Sequence, residues 1–121
     1  MNQELMKYYN ALLDIKMTLD SVNINYWLEY GTLLAAYRDK HPLDWDLKDI
    51  DIGVKFEEFT EEVNKKINKT LLDLGFEIIA PAVSRYSYQR CYKRDDLHID
   101  IWIFHKIGDF YHKTWFLRPG C

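Results

Sequence analysis

The chain is predicted to fold as α+β: a mixed β-sheet of about four to six strands that carries the acidic residues of interest, packed with two main helices and one short helix. Three observations predict this. Two long segments repeat their apolar residues at helical spacing, several short segments alternate with period two, and aspartates are set inside apolar strand-like runs. At 121 residues the chain is expected to form a single minimal domain, residues 1–121. A domain of that size buries roughly two-thirds of its unfolded surface.

The first element is an amphipathic helix from Gln3 to Val22, with Leu5, Tyr9, Leu12, Leu13, Ile15 and Leu19 as its apolar positions. Asn23 to Asn25 end it, because asparagine favours turns. A strand follows at Tyr26 to Glu29, then a turn at Gly31-Thr32 and a short helix from Leu33 to about Lys40. Pro42 blocks continuation of that helix and makes His41 to Lys48 a loop. Asp49 to Val54 is a strand. Glu57 to Leu74 is the second long helix, with a ladder of Phe59, Val63, Ile67, Leu71 and Leu74 and a terminator at Gly75. Its charged positions, Glu58, Glu61, Glu62, Lys65, Lys66 and Lys69, form a solvated face. Phe76 to Ala80 is a short strand closed by Pro81.

From Ser84 the period is two. Arg85 to Lys93 and Leu97 to Phe104 form a hairpin through Asp95-Asp96, and Lys106 to Leu117 forms another that turns at Gly108-Asp109. In the first of these strands Tyr86, Tyr88, Arg90 and Tyr92 share one face and Ser87, Gln89, Cys91 and Lys93 the other. In the second, Ile99, Ile101 and Ile103 oppose His98, Asp100 and Trp102.

The chemistry concentrates in Tyr30 to Val54, YGTLLAAYRDKHPLDWDLKDIDIGV. In Asp49-Ile50-Asp51-Ile52 the two carboxylates share a strand face. Like charges so placed repel and are poor strand formers, and a cation between them offsets that. Hard cations such as Mg²⁺ take carboxylate oxygens together with substrate phosphates. Gly31-Thr32, at a strand-to-helix turn, offers backbone N–H groups and a helix N-terminus to an anion. Asp100 is an acid inside an aliphatic strand, a residue type seldom buried unless paired or metal-bound. His98 is read as a hydrogen-bonded structural residue, and the tyrosine stripe as core rather than a platform for a base or a choline cation.

Together these residues resemble the signature of the nucleotidyltransferase fold: a glycine turn, a strand bearing Asp-hydrophobic-Asp, and a third acid on a later strand. More narrowly, the segment resembles the LicD and fukutin-related phosphotransferases. The matching residues are Gly31, Thr32, Leu33, Leu34, Arg38, Pro42, Trp45, Asp46, Asp49, Ile50, Asp51 and Ile52. The likeness covers the first half of the chain well and the rest loosely. Ala35 stands where the family has glycine, Leu47-Lys48 replaces acidic residues before the acid pair, and the chain ends earlier than family members do.

What the resemblance implies is a metal-dependent phosphotransferase. It would move a phospho-alcohol, phosphocholine or a sugar-alcohol phosphate, from a CDP-activated donor to a glycan hydroxyl. Asp49, Asp51 and Asp100 would hold Mg²⁺ or Mn²⁺, two ions about 3.5–4 Å apart in such sites. Gly31 and Thr32 would cradle donor phosphates, Arg38 would steady a phosphate or the aspartate loop, and Asp46 would orient the metal site. Two alternatives use the same residues. One is a small nucleotidyltransferase passing a nucleoside monophosphate from an NTP to another acceptor. The other is a non-catalytic remnant serving as a binding module.

Composition sets the outer bounds. The net charge of -3 gives no support to a nucleic-acid surface. No stretch reaches the roughly 20 apolar residues of a membrane helix. The start, MNQELMKYYN, lacks a signal core, so a cytoplasmic protein is expected. Cys91 and Cys121 do not make a disulfide framework. His105 and His112 are not at zinc-ligand spacing with a cysteine.

Overall fold

The computed structural model describes residues 3–29, 48–79 and 89–113. In chain order these form α1 (Gln3–Ser21), β1 (Tyr26–Leu28), β2 (Asp49–Lys55), a 3-10 turn (Phe56–Glu58), α2 (Glu61–Asp73), β3 (Glu77–Ile78), β4 (Gln89–Arg94), β5 (Leu97–Ile107) and β6 (Phe110–Lys113). The strands join in one mixed six-stranded sheet in the order β1-β2-β5-β4-β3, with β6 pairing the far end of β5. This is the α+β architecture expected from the periodicities. The short helix expected from Leu33 to Lys40 lies outside the described residues.

The sheet centres on the parallel pair β2–β5, from Asp49↔His98 through Lys55↔Phe104. Every other ladder is antiparallel. Parallel strands need a crossover, and here the chain makes it through α2, β3 and β4 before returning as β5. Because both central strands alternate strictly, one face is a block of Ile50, Ile52, Val54, Ile99, Ile101 and Ile103, each 1% exposed or less. The two helices cover that face with Ile15 and Leu19 from α1 and Ile67 and Leu71 from α2. The acids are thereby assigned to the opposite face.

Local chemistry sets the element ends. Thr60 caps α2 by accepting the Val63 N–H at 3.2 Å, so the helix begins at Glu61 rather than at the expected Glu57. The displaced residues form the 3-10 turn, and Glu58 accepts the Asn25 backbone N–H at 2.8 Å, tying the α1–β1 turn to it. At the other end Gly75, at φ 90°, adopts the left-handed conformation. Gly75 donates to the Leu72 carbonyl and Phe76 to that of Leu71, the paired bonds of a Schellman motif.

The packing face of α1 departs from expectation. Tyr8, Ala11, Ile15, Thr18 and Leu19 are buried, while Tyr9 and Leu13 are exposed. Apolar residues surround more than half of this helix, so spacing alone admits two faces. The burial of Thr18 is made possible by its hydroxyl, which donates to the Asp14 carbonyl at 2.8 Å. Leu74, the expected last rung of the α2 ladder, is also exposed, because the helix has ended. Among the described residues no helix is long and apolar enough to cross a membrane.

Candidate active site

The register of β2 against β5 makes Asp51 and Asp100 direct neighbours. Asp49, two residues earlier on β2, stands on the same face and pairs with His98. The face therefore carries three successive rows across β2, β5 and β4: Asp49–His98–Lys93, Asp51–Asp100–Cys91, and Gly53–Trp102–Gln89. Ile50, Ile52, Ile99 and Ile101 anchor the same strands on the helix side. A one-residue slip would expose that aliphatic block, so the hydrophobic pattern holds the carboxylates opposite each other.

The electrostatics follow from this placement. Asp51 is 9% exposed. Asp100 is mostly buried, and its carboxyl is pushed up to about 6, first by burial and then by the charges of Asp51 and Asp49. A hydrogen bond from Gln89 acts in the opposite direction, favouring the charged form. The indole N–H of Trp102 donates to Asp51 Oδ1 at 3.1 Å. Among the described residues no group of three acids, histidines or cysteines is already gathered at metal-holding geometry. Like-charged carboxylates repel, and their oxygens draw together only around a counter-charge.

Of the residues singled out from sequence, the structure brings Asp49, Asp51 and Asp100 to one face. Gly31, Thr32, Arg38 and Asp46 lie outside the described residues, as do Tyr86 and Tyr88. Tyr92 belongs to the opposite, helix-covered face, fully buried with its hydroxyl bonded to Asn68 of α2, in keeping with the core reading. Arg90 is beside it on that face, bonded to Asn64 at 3.3 Å and set over the Phe59 ring. The His98 backbone N–H donates to the Lys48 carbonyl at 2.7 Å, which ties the start of β2 to β5. Cys91, the register partner of Asp100 on β4, is buried on this face.

Sequence reasoning missed two residues here, Trp102 and Gln89. Parity had already put Trp102 on the Asp100 face. What it lacked was the register between strands, which decides that Trp102 reaches Asp51 and that Gln89 reaches Asp100. Gly53 completes their row by absence of a side chain: the Trp27 ring occupies the space a Cβ would take there, and it packs on Phe104 with ring centres 5.2 Å apart.

The LicD/FKTN/FKRP nucleotidyltransferase domain matches residues 23–120. An uncharacterized protein of Rickettsia typhi is 32% identical over 108 residues, covering 88% of this chain and 31% of its own length. The ribitol 5-phosphate transferase FKRP of Homo sapiens is 29% identical over 101 residues, covering 80% of this chain and 20% of its own length. The chain thus spans about a third or less of these relatives. Among solved structures, the antibiotic-resistance factor ANT(2'')-Ia superposes with a TM-score of 0.65 at 14% identity, over 91% of this chain and 54% of that one. A second structure of ANT(2'')-Ia, in complex with adenylyl-2''-tobramycin, gives 0.57 at 15% identity, over 87% of this chain and 54% of that one. The fold is that of the nucleotidyltransferases, and the chain belongs to the LicD/FKTN/FKRP family.

Proposed function

We propose that this chain is the catalytic domain of a metal-dependent phosphotransferase that moves a phospho-alcohol from a CDP-activated donor to a glycan hydroxyl. The observation that carries this reading is the Asp51–Asp100 pair, two carboxylates in direct register on parallel strands with Asp49 on the same face. Family membership narrows the transferred group, and the FKRP relatives favour a sugar-alcohol phosphate over phosphocholine.

The donor set fits a hard divalent cation. It consists of oxygen ligands, is partly desolvated, and has one carboxyl raised first by burial and then by its acidic neighbours. Asp49, Asp51 and Asp100 are the residues that would hold Mg²⁺ or Mn²⁺. Bound there, the cations supply charge neutralisation at the donor phosphates and favour the deprotonated acceptor hydroxyl. The chain's own residues hold and orient. Asp49 and Asp51 stand on the donor side and Asp100 on the acceptor side. Gly31 and Thr32 would receive donor phosphates, Arg38 would grip a phosphate or the aspartate loop, and Asp46 would orient the metal site. Phosphoryl transfer depends mainly on positioning and charge neutralisation, so this short inventory suffices.

The test is calorimetric titration of Mg²⁺ or Mn²⁺ with CTP or a CDP-alcohol, on the wild type and on Asp51→Asn. Metal-dependent nucleotide binding that Asp51→Asn abolishes is the expected result. No binding by either protein overturns the catalytic reading and leaves a non-catalytic binding module. Transfer of the nucleotide itself to an acceptor, detected by mass spectrometry, would replace the phospho-alcohol reaction with nucleotide transfer.

A further inference from the structure

Trp102 and Gln89 are register partners on β5 and β4, one row beyond the Asp51–Asp100 pair. Each donates to an acid one strand across and one row back. The Trp102 indole N–H bonds Asp51 Oδ1 at 3.1 Å, and the Gln89 side chain bonds Asp100. The same diagonal step is therefore made twice, once from β5 to β2 and once from β4 to β5. Diagonal neighbours on a sheet face are within reach only of aromatic and long side chains, and these two qualify.

Both donors are neutral. An arginine or lysine in either place would orient a carboxylate equally well but would also neutralise it in advance. An indole N–H or an amide fixes the direction of the carboxylate without itself neutralising it. Partners of this kind set the orientation of metal ligands, and their loss typically weakens metal binding about 10–100-fold.

We propose that Trp102 and Gln89 are positioning residues that hold the Asp51 and Asp100 carboxylates in the orientation that receives the divalent cation. The proposal rests on the metal-binding reading of the acid row. Gly53 and Trp27 extend the same row: the Trp27 ring fills the space over Gly53 and packs on Phe104.

The experiment is Mn²⁺ titration by calorimetry on the intact chain, without nucleotide, for the wild type, Trp102→Phe, Trp102→His, Gln89→Leu and Asp51→Asn. Each is paired with a thermal melt. Expected are Mn²⁺ binding by the wild type, its loss in Asp51→Asn, and binding about 10–100-fold weaker in Trp102→Phe and Gln89→Leu. Trp102→His, which keeps a ring N–H, should recover part of that loss, an effect a packing role alone does not produce. A core variant on the helix side, Ile101→Val, should lower the melting temperature without moving Mn²⁺ affinity. If Trp102→Phe fails to fold, Gln89→Leu carries the test. Wild-type affinity in the folded donor-deleted variants, with binding still lost in Asp51→Asn, overturns this inference and leaves the metal site standing. Absence of Mn²⁺ binding in the wild type overturns both.

Discussion

Asp51 of β2 and Asp100 of β5 sit directly across from each other on parallel strands, so two carboxylates share one small area of the sheet face opposite the helices. Without a counter-charge this opposes folding. Replacing Asp100 by its isosteric amide removes the charge that burial, and then Asp51 and Asp49, disfavour, so Asp100→Asn is expected to stabilise the metal-free protein at pH 7. The rise of the Asp100 carboxyl from its ordinary 3.8 to about 6 sets a ceiling of about 3 kcal/mol. Partial solvent screening brings the expected gain to about 1–2 kcal/mol. Urea melts of wild type and variant, with chelator present, measure it. A destabilised variant would mean that the amide leaves a buried polar group unsatisfied at a cost greater than that of the buried charge.

The same group fixes a pH dependence. Its folded value lies above its unfolded one, so the folded state holds the proton more tightly. The stabilising contribution is then complete below about 4 and is lost as pH rises through about 6. The gap in stability between Asp100→Asn and wild type should be small at pH 4 and open to its full size by pH 7. Chelated samples melted across that range give the answer. A gap that widens toward acid would contradict the assignment.

The N-cap of α2 offers a check on the fold itself. Thr60 accepts the Val63 N–H at 3.2 Å and thereby satisfies one of the donors left open at the helix start. Thr60→Ala should cost about 1 kcal/mol, and Thr60→Ser or Thr60→Asp a few tenths or nothing. Equal losses for alanine and serine would show that the hydroxyl does not carry the cap.

Much of this architecture was legible in the residues because alternation is a strong local signal. Ile50, Ile52, Ile99, Ile101 and Ile103 declare a buried face, and that alone sends Asp49, Asp51 and Asp100 to the other one. The inner face of α1 was less legible, since Tyr8 and Tyr9, or Leu12 and Leu13, are equally apolar neighbours on a helix that is greasy on several sides. The start of α2 was misplaced because Glu57 and Glu58 are good helix formers, whereas Thr60 decides the boundary through its side chain. The donors Trp102 and Gln89 were missed for a different reason. Which side chain reaches which acid depends on the register between strands far apart in sequence, and no local pattern encodes it.

That register also makes Gly53 a demanding position. A Cβ added there would come 2.2 Å from Trp27 Nε1 and 2.4 Å from Trp27 Cε2, so the indole has to move. Trp27 is held in turn against Phe104, with ring centres 5.2 Å apart, and Gly53 is itself buried. Gly53 lies on a strand without positive φ, so the penalty is one of space rather than backbone conformation. Overpacking of this kind costs about 1–3 kcal/mol, the value expected for Gly53→Ala. Trp27→Leu removes the ring and loses packing of its own, but a Cβ then fits over the strand. Adding Gly53→Ala to that background should cost less than it does in the wild type, with a coupling of about 0.5–3 kcal/mol. A double-mutant cycle from urea melts yields this number, and strict additivity would place the Trp27 ring elsewhere. Because Gly53 belongs to the Trp102–Gln89 row, Gly53→Ala should also weaken Mn²⁺ binding, whereas the Trp27→Leu/Gly53→Ala pair should bind more tightly than Gly53→Ala alone. Only a ring that presses on that row produces both effects together.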